Sequence, residues 1–147
     1  MAARRRGFFR KHALSLIVGA ILLFLLVMYV VSDPSTHIGQ FYGNAIADWF
    51  GTLVFIVATK YFFEIGSGES RKPRPKPGEQ VLSLMMRHSL SIVLAITGVI
   101  WAYVYWHSDV NGKAGQVVGN VVSEWTQILG LVIITKYARE TGSKEGS

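Results

Sequence analysis

The chain has 147 residues, half of them hydrophobic and only 16% charged, a balance that fits one compact membrane domain and excludes an ordinary soluble one. Its net charge of +6 is not distributed as a nucleic-acid surface would require: fourteen of the fifteen Lys and Arg fall in three clusters, five within 1–12, six from Lys60 to Arg87 and three from Lys136 onward. There is no cysteine, so disulfides, iron–sulfur clusters and thiolate zinc sites are all excluded.

Residues 12–67 recur as residues 88–143 at a constant offset of 76 without a gap, with 18 of 56 positions identical. A self-similar chain is read as one unit written twice. The spacing predicts repeat 1 over 1–67 with helices about 8–31 and 34–64, a linker over 68–78, and repeat 2 over 79–147 with helices about 79–107 and 113–140. The four apolar runs, 13–31, 41–63, 89–106 and 117–138, are each near the ~20 residues that cross a hydrocarbon core of about 30 Å. They lack the alternation of barrel strands, so helices satisfy their backbone. The expected fold is an all-α integral membrane four-helix bundle of two tandem, parallel helical hairpins.

The first helix follows a basic start in which Arg5-Arg6-Gly7-Phe8-Phe9-Arg10 resembles a twin-arginine signal. Its run is long for a signal, no A-x-A site follows, and it is equivalent to the internal run 89–106, so it reads as a retained span. His12 at its start matches His88 in the third helix. A histidine pair on two helices of a membrane bundle is a haem candidate, set against the commoner role of histidine at a headgroup boundary. At the first tip, Asp33-Pro34 reads as an N-cap with proline at the first helical position. The second tip has Asn111-Gly112 as a tight turn.

Two stripes run along the second helix of each repeat. Gly39, Gly43, Ala47 and Gly51, mirrored by Gly115, Gly119 and Ser123, recur every four residues and so share one face. Small residues let backbones approach, which predicts that the second helices of the two repeats, or those of two subunits, meet along them. One residue later come Gln40, Asn44 and Asp48, mirrored by Gln116, Asn120 and Glu124, with Gln127 beyond. An acid within a span costs about 2.5–3.5 kcal/mol at mid-bilayer and marks a functional candidate. Trp49 and Trp125 follow the acids and favour the interface, which predicts a depth about one turn inside the outer boundary. Amides and acids here are either structural glue between helices or ligands of a cation or proton path.

The helices end near Lys60 and Lys136, which can snorkel to the interface, and Gly66 and Gly142 sit where a left-handed C-cap is expected. Arg71, Lys72, Arg74 and Lys76, interleaved with three prolines, form a hydrated joint that can touch anionic lipid headgroups. Only Lys113 lies in the segments opposite the basic clusters, so the positive-inside rule places both termini and the joint in the cytoplasm. No Ser-His-Asp, H-E-x-x-H or phosphate-loop pattern is present, so no enzyme, resident cofactor or metal is expected.

Ser123-Glu124-Trp125-Thr126-Gln127, the apolar run to Thr135 and the ending Gly142-Ser143-Lys144-Glu145 resemble a family of small uncharacterised bacterial membrane proteins with an S-E-aromatic-x-Q … G-S-x-E-S pattern. Repeat 1 keeps the ending as Gly66-Ser67-Gly68-Glu69-Ser70 but has Ala47-Asp48-Trp49-Phe50-Gly51 in place of S-E-W-x-Q. The resemblance covers mainly the second helix of each repeat and implies a four-span protein of the bacterial plasma (inner) membrane. The function expected is that of an accessory, assembly or homo-oligomeric subunit, whose partners are the lipid bilayer and its own copies or a larger complex. The alternatives are an ion or proton conduit through Asp48 and Glu124, and a haem- or quinone-binding redox subunit using His12 and His88.

Overall fold

The computed structural model describes residues 2–70 and 82–138. The described residues form helices and turns without strands: α1 (Ala2–Val31), α2 (His37–Tyr61), α3 (Leu82–Arg87), α4 (Ser89–Trp106) and α5 (Lys113–Tyr137). Four stretches are long and apolar enough to cross a membrane, namely Lys11–Val31, His37–Tyr61, Ser89–Trp106 and Lys113–Tyr137.

The boundaries differ from the expected ones for local reasons. α1 starts at Ala2 rather than near Phe8, since Ala and Arg are good helix formers and carry the helix through the basic start. α2 starts at His37, not at Pro34, and Thr36 rather than Asp33 is its N-cap, accepting the Gly39 N–H at 3.1 Å. The Asp33 carboxylate is already engaged by the N–H and hydroxyl of Ser35, at 2.9 and 2.7 Å. Those two bonds hold it below the usual carboxylate range. The expected third helix is broken at His88 into α3 and α4, and residues 79–81 lie outside the described residues. α2 stops at Tyr61, so Gly66, with φ of +83°, turns a loop rather than capping a helix; Gly142 lies outside the described residues.

α2 and α5 form the central pair, with α1 packed on α2 and α4 on α5. One apolar cluster joins Ala47 and Ala58 of α2 to Leu90 and Leu94 of α4 and to Val121, Trp125 and Val132 of α5. The other joins Leu25 and Tyr29 of α1 to Ala45 and Ile46 of α2. Outside these seams the exterior is apolar: Leu23, Phe24 and Val27 on α1, Ile96, Val99 and Ile100 on α4 and Ile133 and Ile134 on α5 are all exposed. An apolar exterior this extensive requires a non-aqueous surrounding or a cover.

Two antiparallel hairpins, set side by side with α2 and α5 parallel, give the bundle two ends. At one, Tyr29 at the close of α1 meets Lys113 at the start of α5: the Tyr29 hydroxyl donates to the Lys113 carbonyl at 3.1 Å. The Lys113 ammonium donates to the carbonyls of Tyr29, Val30 and Ser32 at 3.2, 3.3 and 2.7 Å. These carbonyls lie at the end of α1 and in the turn after it, where the cation suits the negative end of the helix; that of Tyr29 also accepts from the Ser32 N–H and hydroxyl, at 3.3 and 3.0 Å. At the other end lie the basic residues Lys60, Arg87 and Lys136.

Candidate functional site

Two polar constellations stand out from the apolar frame, one along the α2–α5 crossing and one at the basic end.

Along the crossing, the two polar stripes face each other. The Asn120 side-chain amide donates to the Asn44 side-chain Oδ1 at 2.5 Å. One turn on, the Glu124 carboxyl reaches Asp48 and also packs beside Gly51. Each acid is the twelfth residue of a 25-residue helix, counting from His37 in α2 and from Lys113 in α5. The acids therefore lie near the middle of their helices, and Trp49 and Trp125 pack between helices. Trp125 is buried, donates its Nε1–H to Thr97 at 2.8 Å, stacks on Phe50 and meets Trp101 at a tilt. Towards the tips, Gln40, Asn44, Gln116 and Asn120 line a cavity of about 500 Å³ with Tyr105 and Val110. Of the seven residues in the stripe, Gln40, Asn44, Asp48, Gln116 and Gln127 are exposed, while Asn120 and Glu124 are half-buried.

The small residues do not form the seam between α2 and α5 as a continuous stripe. Gly43 and Gly119 receive the rings of Tyr29 and Tyr105, each from the preceding helix of the same hairpin. A Cβ on either would meet the ring at 3.2 or 3.0 Å. Gly39 and Gly115 lie under the carbonyls of Asp33 and Asp109 in the tip turns. Gly51 contacts α5 through Ile128 and Glu124, Ala47 is fully buried in the larger cluster, and Ser123 is exposed. The helical period groups these residues on one face, but that face looks at the hairpin partner for most of its length.

At the basic end, sequence reasoning missed the central residue. Glu64 is 2% exposed and accepts hydrogen bonds from Lys136 Nζ, from the Ser91 N–H at 3.2 Å and across a 2.6 Å contact with His88 Nδ1. Burial pushes its carboxyl up, but Lys136, His88 and Ser91 together outweigh this and hold it below the usual range. The geometry follows from the break at His88. A helix that restarts at Ser89 exposes N–H groups without intrahelical partners, and His88 makes no side-chain cap. The extended segment after α2 supplies what is missing: the Phe63 carbonyl accepts from Leu90 N at 2.9 Å, and the Glu64 carboxylate takes Ser91 N. Glu64 thus caps α4 from the other hairpin, with its negative charge at the positive helix end. Around it, the Ser67 and Thr135 hydroxyls pair at 3.0 Å and Ser70 Oγ accepts from Glu64 N at 2.8 Å. The signal available was the identity of Glu64 and Glu140 within the repeat.

The histidine candidates lie in these contacts. His88 faces Glu64, while His12 lies 3.4 Å from Lys60 Nζ and against the Phe8 ring at 4.7 Å. Among the described residues, no three His, Cys, Asp or Glu are grouped to hold a metal ion. Arg71, Lys72, Arg74 and Lys76 lie outside the described residues. Compared with known proteins, the chain matches no protein-family model, no curated protein and no solved structure.

Proposed function

We propose that the chain is a multi-pass protein of a bacterial plasma membrane that acts without enzymatic chemistry, as a homo-oligomeric or accessory subunit whose polar seam along α2 and α5 is covered by another protein surface. The observation that carries this reading is the exposure of Gln40, Asn44, Asp48, Gln116 and Gln127 on an exterior that is otherwise apolar. Facing hydrocarbon, the acid alone would cost about 2.5–3.5 kcal/mol at mid-bilayer, and each amide would need a hydrogen-bond partner. A facing copy of the same stripe supplies donors and acceptors in equal measure. Basic clusters at one end and Lys113 alone at the other support an orientation with both termini and the basic joint in the cytoplasm. The resemblance to small bacterial four-span proteins supports the choice of membrane.

The test is the mass of the protein in lipid nanodiscs. The natural sequence is expected to give particles with more than one protein chain, and the triple substitution Gln40→Leu, Asn44→Leu, Asp48→Leu to give single chains. A natural chain that runs alone, as single chains without a partner, defeats the reading.

A second reading, passage of protons or cations, is favoured by one geometric feature. Two mid-helix carboxyls meet at the crossing beneath an amide-lined cavity. Under that reading Asp48→Asn with Glu124→Gln abolishes flux into liposomes and leaves the assembly intact. Equal flux with and without the substitutions removes it.

A further inference from the structure

The two repeats bring the same three side chains together at the basic end. In repeat 2, His88, Ser91 and Lys136 surround the Glu64 carboxylate. The residues 76 positions lower are His12, Ser15 and Lys60, all half-buried. They converge in the same way: Lys60 Nζ lies 3.4 Å from His12 Nδ1, the distance at which Lys136 Nζ lies from His88 Nδ1. Lys60 also donates to Ser15 Oγ at 3.3 Å. Among the described residues no carboxylate is paired with Lys60.

The differences between the trios say which anion suits the first. α1 runs unbroken through the position where the chain breaks at His88, so its N–H groups stay within the helix. An anion here meets side-chain donors alone: the Lys60 ammonium, the Ser15 hydroxyl and the His12 imidazole with Nδ1 protonated. Leu90 is fully buried under the other hairpin while its counterpart Leu14 is 60% exposed, so the first trio is open where the second is roofed. His12 and Lys60 are each one residue from the end of a candidate span, Lys11–Val31 and His37–Tyr61, at the depth of lipid headgroups. Below His12, Leu16, Gly19 and Leu23 follow at helical spacing and share its face. Leu16 and Leu23 are exposed, and a Cβ on Gly19 would meet nothing within 4 Å, which leaves an apolar furrow leading away from the donors.

We infer that His12, Ser15 and Lys60 bind the phosphodiester of an anionic membrane lipid, with an acyl chain lying along Leu16, Gly19 and Leu23. The phosphodiester carries one negative charge, as the Glu64 carboxylate does, and its free oxygens accept charge-assisted hydrogen bonds from donors on two helices. A zwitterionic headgroup would bring a second cation towards Lys60. The inference rests on the membrane reading above and holds whether or not the chain assembles.

The experiment titrates phosphatidylglycerol into the full-length protein in an uncharged detergent, read by native mass spectrometry and melting temperature. The natural chain should hold one lipid per chain and melt higher with it, and phosphatidylcholine with the same acyl chains should bind more weakly. Lys60→Gln and His12→Leu should each weaken binding about tenfold, the loss of one hydrogen bond to a charged group. Lys11→Gln, which removes an exposed charge next to His12, should leave it unchanged. Equal binding by Lys60→Gln and the natural chain overturns the site, and an equal fall with Lys11→Gln overturns it as diffuse charge. Inorganic phosphate that raises the melting temperature as much as the lipid overturns the lipid as the source. Should Lys60→Gln fail to fold, His12→Leu with Ser15→Ala decides by the same criteria. A chain that stays dispersed without detergent defeats the membrane reading, whereas lipid binding indifferent to Lys60 in a chain that needs detergent defeats the site alone.

Discussion

The two hairpins share their sequence signposts and differ in how they are finished. In both, an aspartate turns the tip, a glycine lies under that aspartate's carbonyl, and a tyrosine ring fills the space over the next glycine of the stripe. Yet Tyr29 donates to Lys113 while Tyr105 makes no such bond among the described residues, and α1 is continuous where α3 and α4 are separated by His88. Trp125 is anchored on Thr97, and the position matching Thr97 is Ile21, so Trp49 has no equivalent hydroxyl. Local geometry follows local sequence. What differs are the groups that reach across to the other hairpin, where one residue acts on a surface its counterpart does not face.

The strongest way to break this comparison is at Glu64. Glu64→Ala leaves Lys136 and His88 without their buried counter-charge and should cost about 3–5 kcal/mol in reversible unfolding, the usual range when one partner of a buried pair is removed. Lys60→Ala should cost about 1 kcal/mol or less, because its contacts are polar and partly solvated. Equal losses would make the surroundings of Glu64 and Lys60 alike. The pH dependence has a definite sign. Glu64 has a lower pKa folded than unfolded, so its contribution is complete above its ordinary value of 4.5 and is lost as pH falls through the depressed folded value. Glu64→Gln should flatten that acid limb in a melting series.

A shared feature comes next. Gly39→Ala and Gly115→Ala each place a Cβ on a backbone carbonyl that cannot swing aside, and each should cost about 1–3 kcal/mol with nearly the same value in both hairpins. A large effect in only one would show that the tip turns are not equivalent. The smallest contrast is in the tyrosines. Tyr29→Phe removes the bond to Lys113 and should cost about 1 kcal/mol, whereas Tyr105→Phe should change stability by only a few tenths, read from denaturant midpoints.

These contrasts also mark what was legible in the chain. Apolar length and period give the four long helices and place the stripes on their faces, because both depend on near neighbours. They do not give the phase of a face relative to other helices, which is why the glycine stripe looks at tyrosines of its own hairpin. The break at His88 was out of reach for a related reason. His12, the same residue in a similar setting, sits in an unbroken helix, so the break depends on the Phe63 carbonyl and Glu64 carboxylate that satisfy the freed donors. Glu64 itself was visible as a repeated residue. Its role comes from partners 24 to 72 positions away, and no spacing rule reaches that far.

Lys113 carries one more consequence. The carbonyls of Tyr29, Val30 and Ser32 acquire their cation from a residue 81 to 84 positions later in the chain. During synthesis the end of the first helix therefore exists for most of the chain's length without its clasp. The first hairpin can form its turn and seat its tyrosine on its own glycine, yet it is completed only once α5 has begun. Closure of that long loop is a late event on topological grounds, since distant contacts bear the full entropy of the intervening chain. The molecule thus has a built-in order of completion, in which the end of α1 is finished by α5.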